Sequence, residues 1–412
     1  MPAGTNSILT ATAVTREALR VLHQKLNFVG TITRDYDESF ARQGAKVGDT
    51  LKVRLPNQYT VRTGSTLVSQ DTTESSVDLK VQTQKGVDLN FTSVDLTMAL
   101  DDFSERILEP AMSVLAANIE ADAMSMYKDV YNQVQGAGPA TFTRVLQGRK
   151  ILVDNLAPLS GRTCNLNTQD NVDLVDALKG LFNDKTTISK QNREGYMGRT
   201  AGFDFMENTL WPAHTVGTKA GTPLINGGSQ ATTYAASGAN NAQSLITDGW
   251  TASSAILKQG DVFTIAGVFA VNPVSKDVLP YLQQFVVNAD ISADGSGNAT
   301  LNVSPAIITT GAYQTVSAGP ADNAAITVLG TAATNYPQNL VFHKNAFALV
   351  MVPMEMPAGV PSDLVGRETY KGISVRLVPY YDGANDLSNW RLDVLYAVKA
   401  IFPDLATRVS GT

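Results

Sequence analysis

The chain has 412 residues, 43% of them apolar, and a net charge of −6 from 32 basic and 38 acidic side chains. That length can bury a large core in roughly two or three domains. The acidic balance excludes a protein that coats nucleic acid through a broad basic face, and the single cysteine, Cys164, excludes an intramolecular disulfide and fits a reducing compartment.

Residues 1–14 are small and polar and read as a flexible arm, with neither the basic n-region nor the apolar h-region of a secretory signal. Thr15 is placed to cap a helix over TREALRVLHQKL, with Leu19, Leu22 and Leu26 on one side and His23 within it. In GDTLKVRLP, Leu51, Val53 and Leu55 alternate with Thr50, Lys52 and Arg54, and Val77, Leu79 and Val81 alternate again with Asp78 and Lys80. This predicts a long two-stranded excursion with a mobile tip, and a lone hairpin needs something to lie on. Residues 101–132 predict the longest helix. Leu108, Met112, Leu115, Ile119, Ala123, Met126 and Val130 recur at spacings of three and four, with Asp101, Asp102 and Glu105 at the N-terminal end.

Further along, TFTRVLQGRKILVDNLA suits a helix, GRTCNLN a strand, NVDLVDALKGLF a helix and AGFDF a strand. Composition then changes sharply. No arginine occurs between Arg199 and Arg367, and residues 217–335 hold three lysines, six aspartates and no glutamate. Thr, Ser, Ala, Gly, Asn and Val fill that stretch, which reads as an inserted β domain. Its strands are expected at 261–268, 283–292, 298–307 and 324–330, with a hairpin turn at Asp294-Gly295. NLVFHKNAFALVMVPMEMP (339–357) resumes the α/β body, and 373–382 and 389–403 read as long closing strands. The most apolar run, AFALVMV, is too short to span a bilayer.

Chemistry-bearing motifs are sparse. The sequence has no phosphate loop, no H-E-x-x-H and no G-x-S-x-G elbow. Asp290, Ser292, Asp294 and Gly295 mimic the start of a calcium loop, but Leu301 stands where its bidentate Glu belongs. One thiol and three scattered histidines disfavour zinc. No catalytic, metal or cofactor residue is assigned. Lys185, Lys190, Arg193 and Arg199 place four cations in one loop. The plain reading is a solvated loop; the functional one is a surface for an acidic partner, either a neighbouring copy or enclosed DNA.

The order of parts, and the segments LAANIEADA (115–123), MGRTAGFDFMENTLWPAHTVG (197–217), LKQGDVFTIAGVFAVNP (257–273), NLVFHKNAFALVMVPMEMP and WRLDVLYAVKAIFPDLATRV (390–409), carry a resemblance over nearly the whole chain. It resembles the tailed-bacteriophage major capsid proteins of the HK97 fold, in the podovirus P22-like coat branch with an inserted β-barrel domain. The resemblance implies an α+β capsid fold: an N-terminal arm and helix (1–44), an extended β-loop (45–93), a peripheral domain with a spine helix (94–140), a first axial part (141–213), the inserted all-β domain (214–335), and the axial return with final peripheral strands (336–412). It implies a non-enzymatic shell protein without cofactors, assembled in the host cytoplasm into the virion. Its partners would be copies of itself in pentamers and hexamers, a scaffolding protein, a portal, optionally a decoration protein, and packaged double-stranded DNA held without sequence specificity; no membrane is implied. Candidate assembly contacts are Lys52, Arg54, Arg62, Lys80, Lys185, Lys190, Arg193 and Arg199. The alternatives are an encapsulin-like nanocompartment shell, a β-rich adhesin, and a hydrolase with unrecognised residues.

Overall fold

The computed structural model describes residues 11–34, 48, 50–62, 64–67, 69–70, 75–92, 104–136, 138–178, 198–234, 241–355, 366–370, 372–382 and 387–411. They form a mixed helix-and-sheet protein of two compact units. One draws on 1–52, 78–123 and 348–399, the other on 53–77, 124–347 and 400–412.

In the first unit, helix Ala11–Lys25 buries Val14, Ala18, Leu19, Val21 and Leu22, and leaves Arg16 and Arg20 outside. The helix begins before Thr15, whose side chain is fully buried, so Thr15 is an interior residue and not the expected cap. The small residues of Ala11–Ala13 let the helix extend one turn further back. Strands Phe347–Met351, Leu387–Ala400, Ile373–Asp382 and Gly366–Tyr370 neighbour one another in that order. Thr83–Thr92 also pairs along Leu387–Ala400, an antiparallel strand the sequence reading missed.

The longest helix runs as a π turn Ser104–Leu108, an α-helix Glu109–Met124 and a 3-10 turn Ser125–Asp129. It ends short of the expected residue 132, and 101–103 lie outside the described residues. All seven apolar residues of the predicted stripe are buried. Glu120 is buried with them, and its carboxylate accepts Phe28 N at 2.9 Å and Val29 N at 3.0 Å. Those amides begin the short helix Phe28–Thr31, where N–H groups lack intrahelical partners, so the buried charge is satisfied.

The second unit contains a sheet in the order Gln133–Gln135, Ala406–Ser410, Asn335–His343, Arg162–Leu166, Phe203–Glu207, Arg199–Thr200, with Ala213–Thr215 also pairing the start of Asn335–His343. The final strand, Ala406–Ser410, lies beyond the segment expected to close the chain. Register fixes what each face carries. Leu340 lies opposite both Arg408 and Asn165, and Arg408 lies opposite Gln133, so these four share one face. Val341, Thr407 and Cys164 share the other. There Val341, Val409, Cys164, Leu166 and Phe205 form a core with Val145 and Leu152 of helix Phe142–Asp154 and Leu174 of helix Thr168–Leu178.

The expected β-rich segment is a barrel. Its strands run Ile326–Val328, Val262–Val271, Val278–Val287, Ala299–Ser304, Gln243–Trp250, Gly221–Ile225, all antiparallel. The two ends meet: Leu224 bridges Ala325, and Ile225 N donates to Ala324 O at 3.0 Å. Closure removes the exposed sheet edges. Phe263 and Phe285, opposite each other in register with rings 5.7 Å apart, lie in a core with Leu245, Leu301, Val303 and Trp250. At one corner two glycines cross. A Cβ on Gly221 (φ +115°) would strike Gly249 O, and one on Gly249 (φ +72°) would strike Thr222 O.

The Asp294-Gly295 turn departs from the simple hairpin expected. Asp294 Oδ1 accepts Ser296 N and Asn298 N, each at 2.8 Å, while the preceding pair Ile291–Ser292 joins Ala255–Leu257 and not Ala299–Ser304. The Asp side chain closes its own turn, so the flanking strands are free to separate. Asp290 Oδ1 likewise accepts Gln259 N, and Leu301 is fully buried, so the calcium-loop lookalike is a set of satisfied turns. Among the described residues no helix is long and apolar enough to cross a membrane, and no three His, Cys, Asp or Glu cluster as metal ligands.

Candidate functional site

Two features of the second unit bear on function: the tip of the excursion, and the seat where the barrel meets the seven-stranded sheet.

Strands Thr50–Leu55 and Ser75–Lys80 form a two-stranded sheet, as alternation predicts. Leu51, Val53, Val77 and Leu79 are buried, and Lys52, Arg54 and Lys80 point to solvent. Between the strands the chain staples itself. Gln70 accepts Thr60 N at 2.8 Å and donates to Thr60 O at 2.6 Å, which imitates a strand pair. The Arg62 guanidinium turns back onto the carbonyls of Gly64 and Thr66. Among the exposed and mostly polar residues of the tip stand two uncovered aliphatic side chains, Val61, 95% exposed, and Leu67, 82%. Sequence reasoning picked the cations and missed these two, since single apolar residues in a Thr/Ser-rich stretch carry no signal by themselves. Of the other predicted contacts, Arg199 lies 4.0 Å from Asp204 in an exposed pair, a weak interaction, while Lys185, Lys190 and Arg193 lie outside the described residues.

The barrel seat is polar. The chain enters the barrel through Ala213–Thr215 and leaves through Asn335–His343, which pair with each other. His214 Nε2 lies 2.8 Å from Asp261 Oδ1, and Tyr127 OH 3.3 Å from His214 Nδ1. A carboxylate only accepts, so the Nε2–H tautomer donates to Asp261 and Nδ1 accepts from Tyr127. Asp261 Oδ2 accepts Gly217 N at 3.0 Å and Lys258 N at 2.8 Å. Arg408 Nη2 donates to Gly260 O at 2.7 Å and to Gln133 Oε1 at 2.8 Å, with its guanidinium 5.7 Å from the Tyr127 ring. Gln284 and Gln133 exchange two more hydrogen bonds, 2.7 and 2.9 Å. Val262 and Val286 point away from the barrel core yet are buried.

Burial sets the electrostatics of the seat. It lowers the His214 pKa, assisted by the Arg408 and Lys128 charges and opposed by Asp261. It lowers Arg408 to about 10 and raises the Tyr127 hydroxyl. His214 with Asp261 looks like two-thirds of a hydrolytic triad, but the third partner is a buried tyrosine hydroxyl and the whole group is closed to substrate. Cys164 is buried in the sheet, and burial pushes its thiol up, so it is inert. Sequence reasoning noted His214 only as one of three scattered histidines without a partner motif and picked out none of its seat partners, since one Arg in ATRVS and one His in PAHTV carry no local sign of burial.

The sequence model of a family described as "P22 coat protein - gene protein 5" matches residues 5–409. Among solved structures, the chain is similar to one from Mycobacterium phage Che8, with 11% identity over 94% of this chain and 91% of that one and a TM-score of 0.45. It is similar to the bacteriophage PhiM1 mature capsid, with 11% identity over 89% and 82% and a TM-score of 0.40. It is also similar to the CUS-3 coat protein I-domain, with 26% identity over 27% of this chain and 98% of that one and a TM-score of 0.20. No curated protein matches.

Proposed function

The chain belongs to the P22 coat protein family and is a structural major capsid protein of a tailed-phage head shell; from that premise we propose how its parts divide the work. The family match over 5–409 carries the reading, and it favours a coat protein over an encapsulin-like compartment.

In this reading the fold is HK97-like. Residues 45–93 are the extended loop that overlaps a neighbouring copy, 94–140 hold the spine helix, 141–213 and 336–412 build the axial and peripheral parts, and 214–335 are an inserted barrel domain. The solvent-exposed tip between Thr50–Leu55 and Ser75–Lys80, with Tyr59, Val61 and Leu67 uncovered, supports an arm that reaches another molecule. Lys52, Arg54 and Lys80 are its charged contacts; Arg62 serves the shape of the tip. Lys185, Lys190, Arg193 and Arg199 are assigned to acidic partners. Contacts that close on copies of the same chain make rings and shells, and many weak ones together give a durable particle that can still correct errors. Scaffolding protein, portal and packaged duplex DNA are the further partners, and assembly takes place in the host cytoplasm. No catalytic step is assigned.

Electron microscopy of the full chain expressed with its cognate scaffolding protein tests the reading. Closed shells built of this chain are expected, and a chain that stays monomeric under those conditions refutes it. Replacing 57–70 by a short Gly-Ser turn should leave a folded monomer that forms no shells. Normal shells from that variant would remove the loop from the assembly contacts.

A further inference from the structure

The barrel seat holds a buried cation whose hydrogen bonds are incomplete. Arg408 is fully buried. Its Nη2 serves Gly260 O and Gln133 Oε1, but Nε and Nη1 meet no acceptor among the described residues. The carboxylate that acts on it electrostatically is that of Asp261, and both Asp261 oxygens are committed to His214 and to the amides of Gly217 and Lys258. A second cation lies nearby. Lys128 lies with its stem against Gly260, 3.2 Å from where a Cβ there would stand, and its charge is felt at His214. With His214 neutral and Tyr127 protonated, the buried Asp261 carboxylate has Arg408 and, at the edge of the seat, the half-buried Lys128 as neighbouring cations.

A buried guanidinium with unpaired N–H groups and a second cation near it calls for an acceptor. We propose that the seat binds one small monovalent anion of halide size against the Arg408 guanidinium. An anion there supplies the missing acceptor and adds its charge to that of Asp261 beside the two cations. The site joins strand Ala406–Ser410 to the barrel loop that carries Gly260 and Asp261, so occupancy strengthens the attachment of the barrel to the sheet. The inference rests on the seat alone and does not depend on how the chain contacts its neighbours.

The test is thermal unfolding of the full-length chain in sodium bromide against sodium gluconate at constant ionic strength. The midpoint is expected to rise with the logarithm of bromide concentration, as for any ligand bound only by the folded state. Arg408→Gln should abolish that rise. Lys128→Gln, which keeps Arg408 and leaves the buried hydrogen bonds in place, should weaken it and provides the control if the arginine variant does not fold. Crystals grown in bromide should give an anomalous peak within hydrogen-bond distance of the guanidinium. Equal midpoints in the two salts, or density at Arg408 with no anomalous signal, would overturn the proposal in favour of an ordinary internal water.

Discussion

The two faces of the seven-stranded sheet are made by the same strands and are held in opposite ways. On one, Val341, Val409 and Cys164 meet Val145 and Leu152, and Gly148 lets the helix approach so closely that a Cβ there would stand 2.8 Å from Val341 Cγ2. On the other, Arg408, Gln133 and Asn165 line a polar surface, and Arg408 and Gln133 reach the barrel through hydrogen bonds. Apolar burial is strong and non-directional, whereas a hydrogen bond adds little net stability but fixes an angle. The helix face therefore makes the unit fold, and the barrel face sets where the barrel stands on it.

The comparison breaks most visibly at Val341. Val341→Asp places an unpaired charge in the apolar face and should destabilise by about 4 kcal/mol or more, leaving little soluble protein. A well-folded, soluble variant would show that the helix face is not the core. Gly148→Leu is next. It forces side-chain bulk into Val341 and Val409 and should cost about 2–3 kcal/mol, read as a lowered unfolding midpoint. Arg408→Met acts on the other face. It strips Gly260 O and Gln133 Oε1 of a donor, roughly 1–3 kcal/mol, but also removes a buried charge, so the net loss should be smaller than at Gly148. Hydrogen exchange sharpens the contrast. Protection should fall in the barrel loop near Gly260 and stay unchanged in helix Phe142–Asp154. Uniform loss across both would mean that the two faces are not separable.

The sequence made the apolar side of this contrast visible and hid the polar side. Periodicity found the buried stripe from Leu108 to Val130 and the alternation at 51–55 and 77–81, because each pattern is local. Within the stretch 217–335, alternation marked four of the strands that pair into the barrel. Gly221–Ile225 and Gln243–Trp250 escaped, since they are short on apolar residues and hold their place by pairing with each other and with distant strands. Thr83–Thr92 escaped for the same reason, because its partner lies some three hundred residues away. The seat escaped because burial of Arg408 and His214 is a property of the assembled sheet. Nothing in the neighbouring residues reports it.

The smallest expected effect separates the faces by pH. Burial lowers the pKa of His214 below its ordinary value, so the unfolded chain takes up the proton first. Stability is then full above about pH 6.5 and falls as pH drops through that value toward the folded pKa. His343, buried near the other end of its strand, is lowered for the same reason and adds to the fall. Asp404 works in the other direction. Burial raises its carboxyl to about 6, so between roughly pH 4 and 6 the folded chain holds the extra proton and acid stabilises it. The observed slope below pH 6.5 is the difference of these effects and should be shallow. His214→Gln should flatten the histidine part, and Asp404→Asn should expose it as a steeper loss on acidification. If His214→Gln leaves the slope unchanged while His343→Gln removes it, the acid sensitivity belongs to the strand end, and the barrel seat does not titrate.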